Sequence, residues 1–205
     1  MIYYHSYLSP YARRVLIAFE EKGLTPEKRK HVYAREFDGL KDINPCLMLP
    51  VLVDGEMTLW GSNLILEYLI TNYANAPSTI EPEFAKSMTR PEHHWADSRI
   101  LATIETMTDS IMNLRQMKMS GIESDEIAYL KRQRYRIDVI LDWLEIQATT
   151  DGFAPGIFSI MDLNLICALG NIDNRKSFEW RGRPTLEAIY DRYANRPSVK
   201  ITATE

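Results

Sequence analysis

Ile2-Tyr3-Tyr4-His5-Ser6-Tyr7-Leu8-Ser9-Pro10-Tyr11-Ala12-Arg13-Arg14-Val15 passes from a short β-like run into a helical one, and the changeover at Ser9-Pro10 decides how the first part of the chain is read. Proline is favoured at a first helical position and serine at the N-cap before it, so the pair predicts a helix from Pro10 to Lys22, closed by Gly23. Ile2 to His5 is then a strand, Lys28 to Tyr33 a second, and together the three pieces begin a βαβ unit. A short helix is expected near Ala34 to Ile43, followed by an irregular Asn44 to Pro50. Val51-Leu52-Val53-Asp54-Gly55-Glu56-Met57-Thr58-Leu59-Trp60 reads as two short strands around an Asp-Gly turn, the strongest hairpin signal in the chain. Ser62 opens a helix through about Tyr73.

The organisation divides near residue 78, within an Ala74 to Pro82 linker that holds two prolines and little periodicity. Beyond it the pattern is helical. Ile100, Ile104, Met107, Ile111 and Leu114 recur at helical spacing, and Ile127, Leu130, Ile137, Leu141 and Leu144 form a similar stripe, which predicts two long amphipathic helices. Ile160 to Leu169 is apolar nearly all round except for Asp162 and Asn164, as suits a helix buried within a bundle. Ser159 stands three residues before Asp162, the spacing of a capping box, so Asp162 is read as holding the fold.

Among 205 residues, 45% are apolar and 25% charged, with a formal net charge of -4; the chain is long enough for one large domain or two small ones with a sizeable core. Its lysines and arginines are scattered among acids, which argues against nucleic acid as a partner. Lys131-Arg132-Gln133-Arg134-Tyr135-Arg136 is the one basic run, read as a solvated helix face because Asp138 and Asp142 follow it. Cys46 and Cys167 are far apart, so neither a disulfide framework nor a metal motif is legible and a reducing compartment fits. No apolar run approaches the roughly 18 residues that span a bilayer, and the N-terminus lacks a secretory pattern. The expected location is the cytoplasm, with no membrane partner.

An α/β unit followed by a helical one, carrying SPYARRV (Ser9 to Val15), Leu49-Pro50-Val51-Leu52, Leu59-Trp60-Gly61-Ser62-Asn63-Leu64-Ile65-Leu66-Glu67-Tyr68-Leu69 and Phe158-Ser159-Ile160-Met161-Asp162 in that order, resembles the cytosolic glutathione transferase family over nearly the whole chain. The resemblance implies a thioredoxin-like glutathione-binding domain at residues 1-78 and an all-helical domain at 83-205 that supplies most of a second-substrate pocket. It further implies glutathione as co-substrate, a small electrophile as second substrate, a homodimer and a detoxifying transferase activity. Apolar surplus on the first long helix, as at Met112 and Met117, agrees with a partner subunit.

In glutaredoxins the SPYA position reads C-P-Y-C, so dithiol redox chemistry is lost here while the helix start remains. A hydroxyl at the N-cap lies beside the positive end of the helix dipole, where a thiolate is stabilised. In serine-type family members that hydroxyl donates to the glutathione sulfur, which makes Ser9 the candidate catalytic residue, with Tyr7, Ser6 and Tyr4 as alternates near the same strand end. The family's matching proline is cis, so Pro50 would turn the Leu49 backbone outward to pair with the cysteinyl part of glutathione. Ser62 and Asn63, at the start of the next helix, would form an anion site for the γ-glutamyl carboxylate.

Two residues depart from the family pattern. Gly61 stands where Glu or Gln is usual, and Met48 replaces the usual Lys or other polar residue; both departures favour an alternative in which the protein is a non-catalytic binding or regulatory module. Lys41, Asn63 or a partner subunit's residue would have to compensate. Other residues carry less. His93 and Asp97 share a helix face without a third ligand, so no metal is expected; Cys46 is read as a small loop filler, the alternative being a reactive thiol. Arg13 and Arg14 are read as structural ion-pair residues, with Arg13 the one that could face a cleft. The second substrate would lie against Met107, Ile111, Leu114 and Arg115.

Overall fold

The computed structural model describes residues 1-30, 37-73, 91-123 and 126-203, and its chain divides into two compact units, Met1–Met88 with Arg196–Glu205, and Thr89–Asn195. The expected linker at Ala74 to Pro82 and the boundary near 78 lie outside the described residues.

The first unit is built on a four-stranded mixed sheet. Its strands are β1 (Ile2–His5), β2 (Glu27–Lys30), β3 (Val51–Asp54) and β4 (Met57–Trp60), in the order β2-β1-β3-β4. β1 runs parallel to β2, the two joined by a crossover through the intervening α1 (Pro10–Glu21). β3 is antiparallel to both β1 and β4. The second strand covers Glu27–Lys30, one residue earlier at its start than the sequence suggests, and residues 31-33 of the expected strand are outside the description. Of the helix expected near Ala34 to Ile43, residues 34-36 lie outside the description and the described part holds α2 (Phe37–Leu40).

The Asp-Gly hairpin is present, with its turn one residue further on than the sequence suggests. Asp54 pairs with Met57, so the central residues are Gly55 and Glu56, and Gly55 supplies the positive φ of 61° that a tight hairpin needs at its first central position. The Asp54 carboxylate also accepts hydrogen bonds from Tyr68, at 3.0 Å, and Tyr73, tying the hairpin to α3 (Ser62–Asn72) and its C-cap. The hydrogen bond to Asp54, with partial burial, pushes the Tyr73 hydroxyl up to about 12.

α1 lays an apolar face on the sheet. Val15, Ile17, Ala18 and Phe19 are fully buried with Tyr3, whose hydroxyl donates to the Ala12 carbonyl at 2.8 Å. The other flank of α1 receives α8 (Pro197–Ile201). Glu21, with no exposed surface, accepts from Arg196 Nε at 2.5 Å, Arg196 Nη2 at 2.8 Å and Ser198 Oγ at 2.5 Å. A bidentate arginine satisfies a buried carboxylate in both charge and geometry. This contact places the last helix with the first unit, whereas the resemblance implies a helical domain over the whole of 83-205.

The second unit is all helical: α4 (His94–Met119), α5 (Ala128–Gln147), α6 (Ile160–Arg175) and α7 (Pro184–Ala194). α4 and α5 present the stripes expected of them, with Ile104, Met107, Ile137, Leu141 and Leu144 at zero exposure. Ile127 is an exception, being the exposed N-cap of α5. Met112 and Met117 are half-buried within the unit, and α4 instead exposes Trp95 at 84%. α6 packs against α4 and α7 and is buried on every side from Ile160 to Gly170, so its first turn has no access to water and depends on side-chain caps.

Asp162 provides them. Its carboxylate accepts from the Ser159 backbone N–H at 3.0 Å, Ser159 Oγ at 2.6 Å and the Phe153 N–H at 3.0 Å, while Ser159 Oγ accepts from the Asp162 N–H at 3.1 Å. The backbone approaches so closely that a Cβ on Gly152 would stand 2.8 Å from Asp162 Oδ1. Asp162→Ala therefore strands two buried N–H donors and a hydroxyl, and the expected loss is about 3 kcal/mol of unfolding free energy. Urea denaturation followed by circular dichroism measures it; a loss below about 1 kcal/mol would contradict the assigned role.

Candidate functional site

Register gathers the candidate residues at one end of the sheet. Tyr4 pairs with Val51, and Val51 pairs with Trp60. The loop leaving β1, the segment entering β3 and the turn leaving β4 therefore lie side by side, and these carry Ser9, Leu49-Pro50 and Gly61-Ser62 respectively.

Ser9 caps α1 as its sequence implies. With φ -92° and ψ 120°, it is extended, its carbonyl accepts from the Arg13 N–H at 3.0 Å, and its Oγ accepts from the Ala12 N–H at 3.2 Å. The side chain is 7% exposed. Accepting that bond uses a lone pair and leaves the hydroxyl proton to be donated, so the group can serve the helix and an external anion at once. The alternates differ in setting: Tyr7 is 48% exposed, Ser6 is half-buried, and Tyr4 packs against the small cluster of Leu40, Leu49 and Val51.

The Leu49–Pro50 peptide bond is cis, and Leu49 is 5% exposed. Asn44, fully buried, shapes the approach to it: its amide nitrogen donates to the Met48 carbonyl at 2.7 Å and its amide oxygen accepts from the Cys46 N–H at 2.8 Å. Leu47 takes a left-handed conformation, φ 53°, and Met48 turns outward to 60% exposure. Cys46, in this loop, is exposed. A sequence reading passes over Asn44; its signal is an Asn-Pro start to an irregular loop, where asparagine side chains mimic backbone turns.

The third element is the start of α3. Ser62 is the first residue of α3, and the N-cap is Gly61. Gly61 has φ 88° and ψ 116°, a conformation that side-chain-bearing residues rarely adopt, which explains glycine at this position although a Cβ there would meet nothing within 4 Å. Gly61 has no side chain to cap with, so the first-turn N–H groups face an end without the usual covering oxygen. Such an end accepts anions. Ser62 Oγ, in a side chain 4% exposed, accepts from Arg14 Nη1 at 3.2 Å, and Asn63 Oδ1 lies 3.5 Å from the same nitrogen.

Arg14 Nη1 meets neutral oxygens at the start of α3, and its guanidinium carbon lies 5.1 Å from the centre of the Tyr11 ring. The side chain has no exposed surface. A buried cation and a helix N-terminus are thus directed to one place, and both favour a carboxylate. Arg13 is occupied elsewhere, donating to the Val199 carbonyl at 3.1 Å. Among the described residues, no group of three or more His, Cys, Asp or Glu side chains gathers in metal-binding fashion, and no helix is long and apolar enough to cross a membrane.

Comparisons with known proteins bear on this geometry. Residues 4–77 match the family model described as glutathione S-transferase, N-terminal domain. Over 206 aligned positions the chain is 28% identical to the uncharacterized GST-like protein YibF of Escherichia coli, covering 96% of this chain and 95% of that one. Its structure is similar to that of a glutathione S-transferase from Methylobacterium radiotolerans in complex with glutathione sulfonate, with 25% identity, a TM-score of 0.78 and coverage of 99% and 95%. A glutathione S-transferase from Methylobacillus flagellatus with GSH bound has the same fold, at 23% identity, a TM-score of 0.82 and coverage of 100% and 99%.

The Arg14 placement carries a prediction. Arg14→Met removes a bond to Ser62 and the buried charge, so affinity for a carboxylate ligand at this end of the sheet should fall by about tenfold or more, while Arg14→Lys, which keeps the charge but not the planar fork, should lie between. Calorimetric titration with glutathione reads this. Unchanged affinity in a natively folded Arg14→Met protein would remove Arg14 from the site.

Proposed function

We propose that this chain, which belongs to the glutathione transferase family, binds glutathione at the end of the sheet where Ser9, Leu49-Pro50 and Ser62 meet and prepares its thiolate for attack on a small electrophile. The observation that carries the reading is the convergence of two helix starts: α1 presents the Ser9 hydroxyl, and α3 presents first-turn N–H groups backed by Arg14. A molecule with a thiol at one end and a carboxylate at the other suits this pair. The carboxylate of the γ-glutamyl group would occupy the α3 end, with Ser62 and Asn63; the cysteinyl backbone would pair with Leu49; the sulfur would lie at Ser9.

Magnitudes support the chemistry. A thiol of pKa about 8.5 is mostly protonated at neutral pH, and lowering that value by two units takes about 2.7 kcal/mol. A hydrogen bond to a charged sulfur supplies about 1.5 to 3 kcal/mol and a helix N-terminus about 0.3 to 1. Together they suffice. The thiol proton leaves to solvent, the sulfur lone pair forms the new bond to the electrophilic atom, and the electrons displaced from that atom go to its leaving group or to an adjacent acceptor.

A second reading, binding without turnover, is favoured by Gly61 and Met48, since neither offers glutathione a polar side chain and Met48 turns outward. Variants separate the two. Ser9→Ala should lower kcat/KM by about ten- to a hundredfold with a chromophoric electrophile, raise the pH of half-maximal rate, and leave glutathione affinity within a few fold. Ser62→Ala should weaken glutathione binding instead. An unaltered rate and pH profile in Ser9→Ala would reduce Ser9 to a helix cap, and glutathione binding with no turnover of any electrophile by the parent protein would favour the second reading.

A further inference from the structure

α8 grips α1 at both ends. At the far end Glu21, the last residue of α1, takes Arg196 and Ser198; at the near end Arg13 Nη2 donates to the Val199 carbonyl at 3.1 Å. A helix of five residues is too short to be stable by itself, so contacts such as these set where α8 lies. Ser198 and Val199 are buried. α8 is therefore seated within the first unit and does not merely rest on its surface.

Arg13 joins this helix to the candidate thiol site through one residue. Its backbone N–H makes the first bond of α1, to the Ser9 carbonyl at 3.0 Å, while its side chain reaches α8. The carbonyl of the residue before it, Ala12, accepts from the Tyr3 hydroxyl of β1 at 2.8 Å. The start of α1 is thus tied to the sheet at one residue and to α8 at the next. Apolar packing by Val15, Ile17, Ala18 and Phe19 holds α1 on the sheet, but such packing is non-directional and resists a small slide or rotation only weakly. Hydrogen bonds are directional and fix it. The Arg13 contact also has a cost, because the Nε of this half-buried side chain is out of water with no hydrogen-bond acceptor among the described residues. For stability alone, a guanidinium left in solvent would avoid that loss.

We propose that Arg13 is a positioning residue: by tying the first turn of α1 to α8, it holds the Ser9 hydroxyl at the distance and angle that a thiolate needs. The inference rests on the reading of Ser9 as the hydrogen-bond donor to the sulfur. A misplacement of about 1 Å is enough to forfeit a large part of such an interaction.

Arg13→Met, which keeps an apolar stem and leaves the Glu21 to Arg196 pair intact, tests it by two readouts. In the unliganded protein, hydrogen exchange at the Ala12 and Arg13-position amides should speed up about tenfold, with the Phe19 amide unchanged. In the protein saturated with glutathione, the midpoint of thiol ionisation should rise by about one unit and kcat/KM should fall by about tenfold, with glutathione affinity within a few fold. A merely structural role would lower the unfolding free energy without moving that midpoint. Arg13→Lys, which keeps a charged donor but not the planar fork, should lie between on both readouts. A midpoint raised by Ser9→Ala but not by Arg13→Met would overturn the inference and leave the Ser9 reading standing; a midpoint moved by neither would remove both. A midpoint raised in Arg13→Met with amide exchange unchanged would show Arg13 acting by its charge and not by its hold on the helix, and would overturn the inference as well.

Discussion

The pairing of β3 between β1 and β4 is the constraint on which the candidate site depends. Because Val51 faces Tyr4 on one side and Trp60 on the other, three segments distant in sequence end at one edge of the sheet. A slip of one residue would turn every side chain of β3 to the opposite face and bury the wrong set. Fully buried Val51 and Leu52 hold the register, and the hairpin turn at Gly55 sets the pairing with β4. Ser9, Pro50 and Ser62 are brought together by this backbone arrangement before any of their side chains interact.

Much of this was legible from local chemistry. Ser9-Pro10 marks a helix start with two residues that act through their own backbone and hydroxyl, and the Ser159 to Asp162 spacing announces a capping box, so both readings survive in the structure. Turn residues gave the hairpin, displaced by one position. What could not be read is what long-range contact decides. Gly61 takes the N-cap of α3 because the exit from β4 needs a positive φ, a requirement visible only once the strand and helix are in place. Glu21 gives no sign in sequence that its partner lies 175 residues away, and Arg14 looks like any arginine on an amphipathic helix until α3 lies beside it. α7 and α8 begin at Pro184 and Pro197, a first-turn signal that was present and passed over.

Burial separates the roles that composition blurs. Arg13 and Arg14 are neighbours of identical type, yet one holds the C-terminal helix through the Val199 carbonyl and the other reaches the start of α3. Asp162 and Glu21 are both fully buried carboxylates, and each is satisfied by several donors, as burial of a charge demands. Their function is architectural. The functional reading rests instead on helix starts whose capacity to bind an anion exceeds what the fold itself needs.

That excess at Ser9 is the central claim, and the ionisation of bound glutathione tests it most directly. With the protein held saturated, as checked by calorimetry, thiolate absorbance in the ultraviolet is followed as pH is raised. The account predicts a bound thiol titrating about two units below the free value of about 8.5. A thiol that binds to saturation and still titrates at its free value would contradict it.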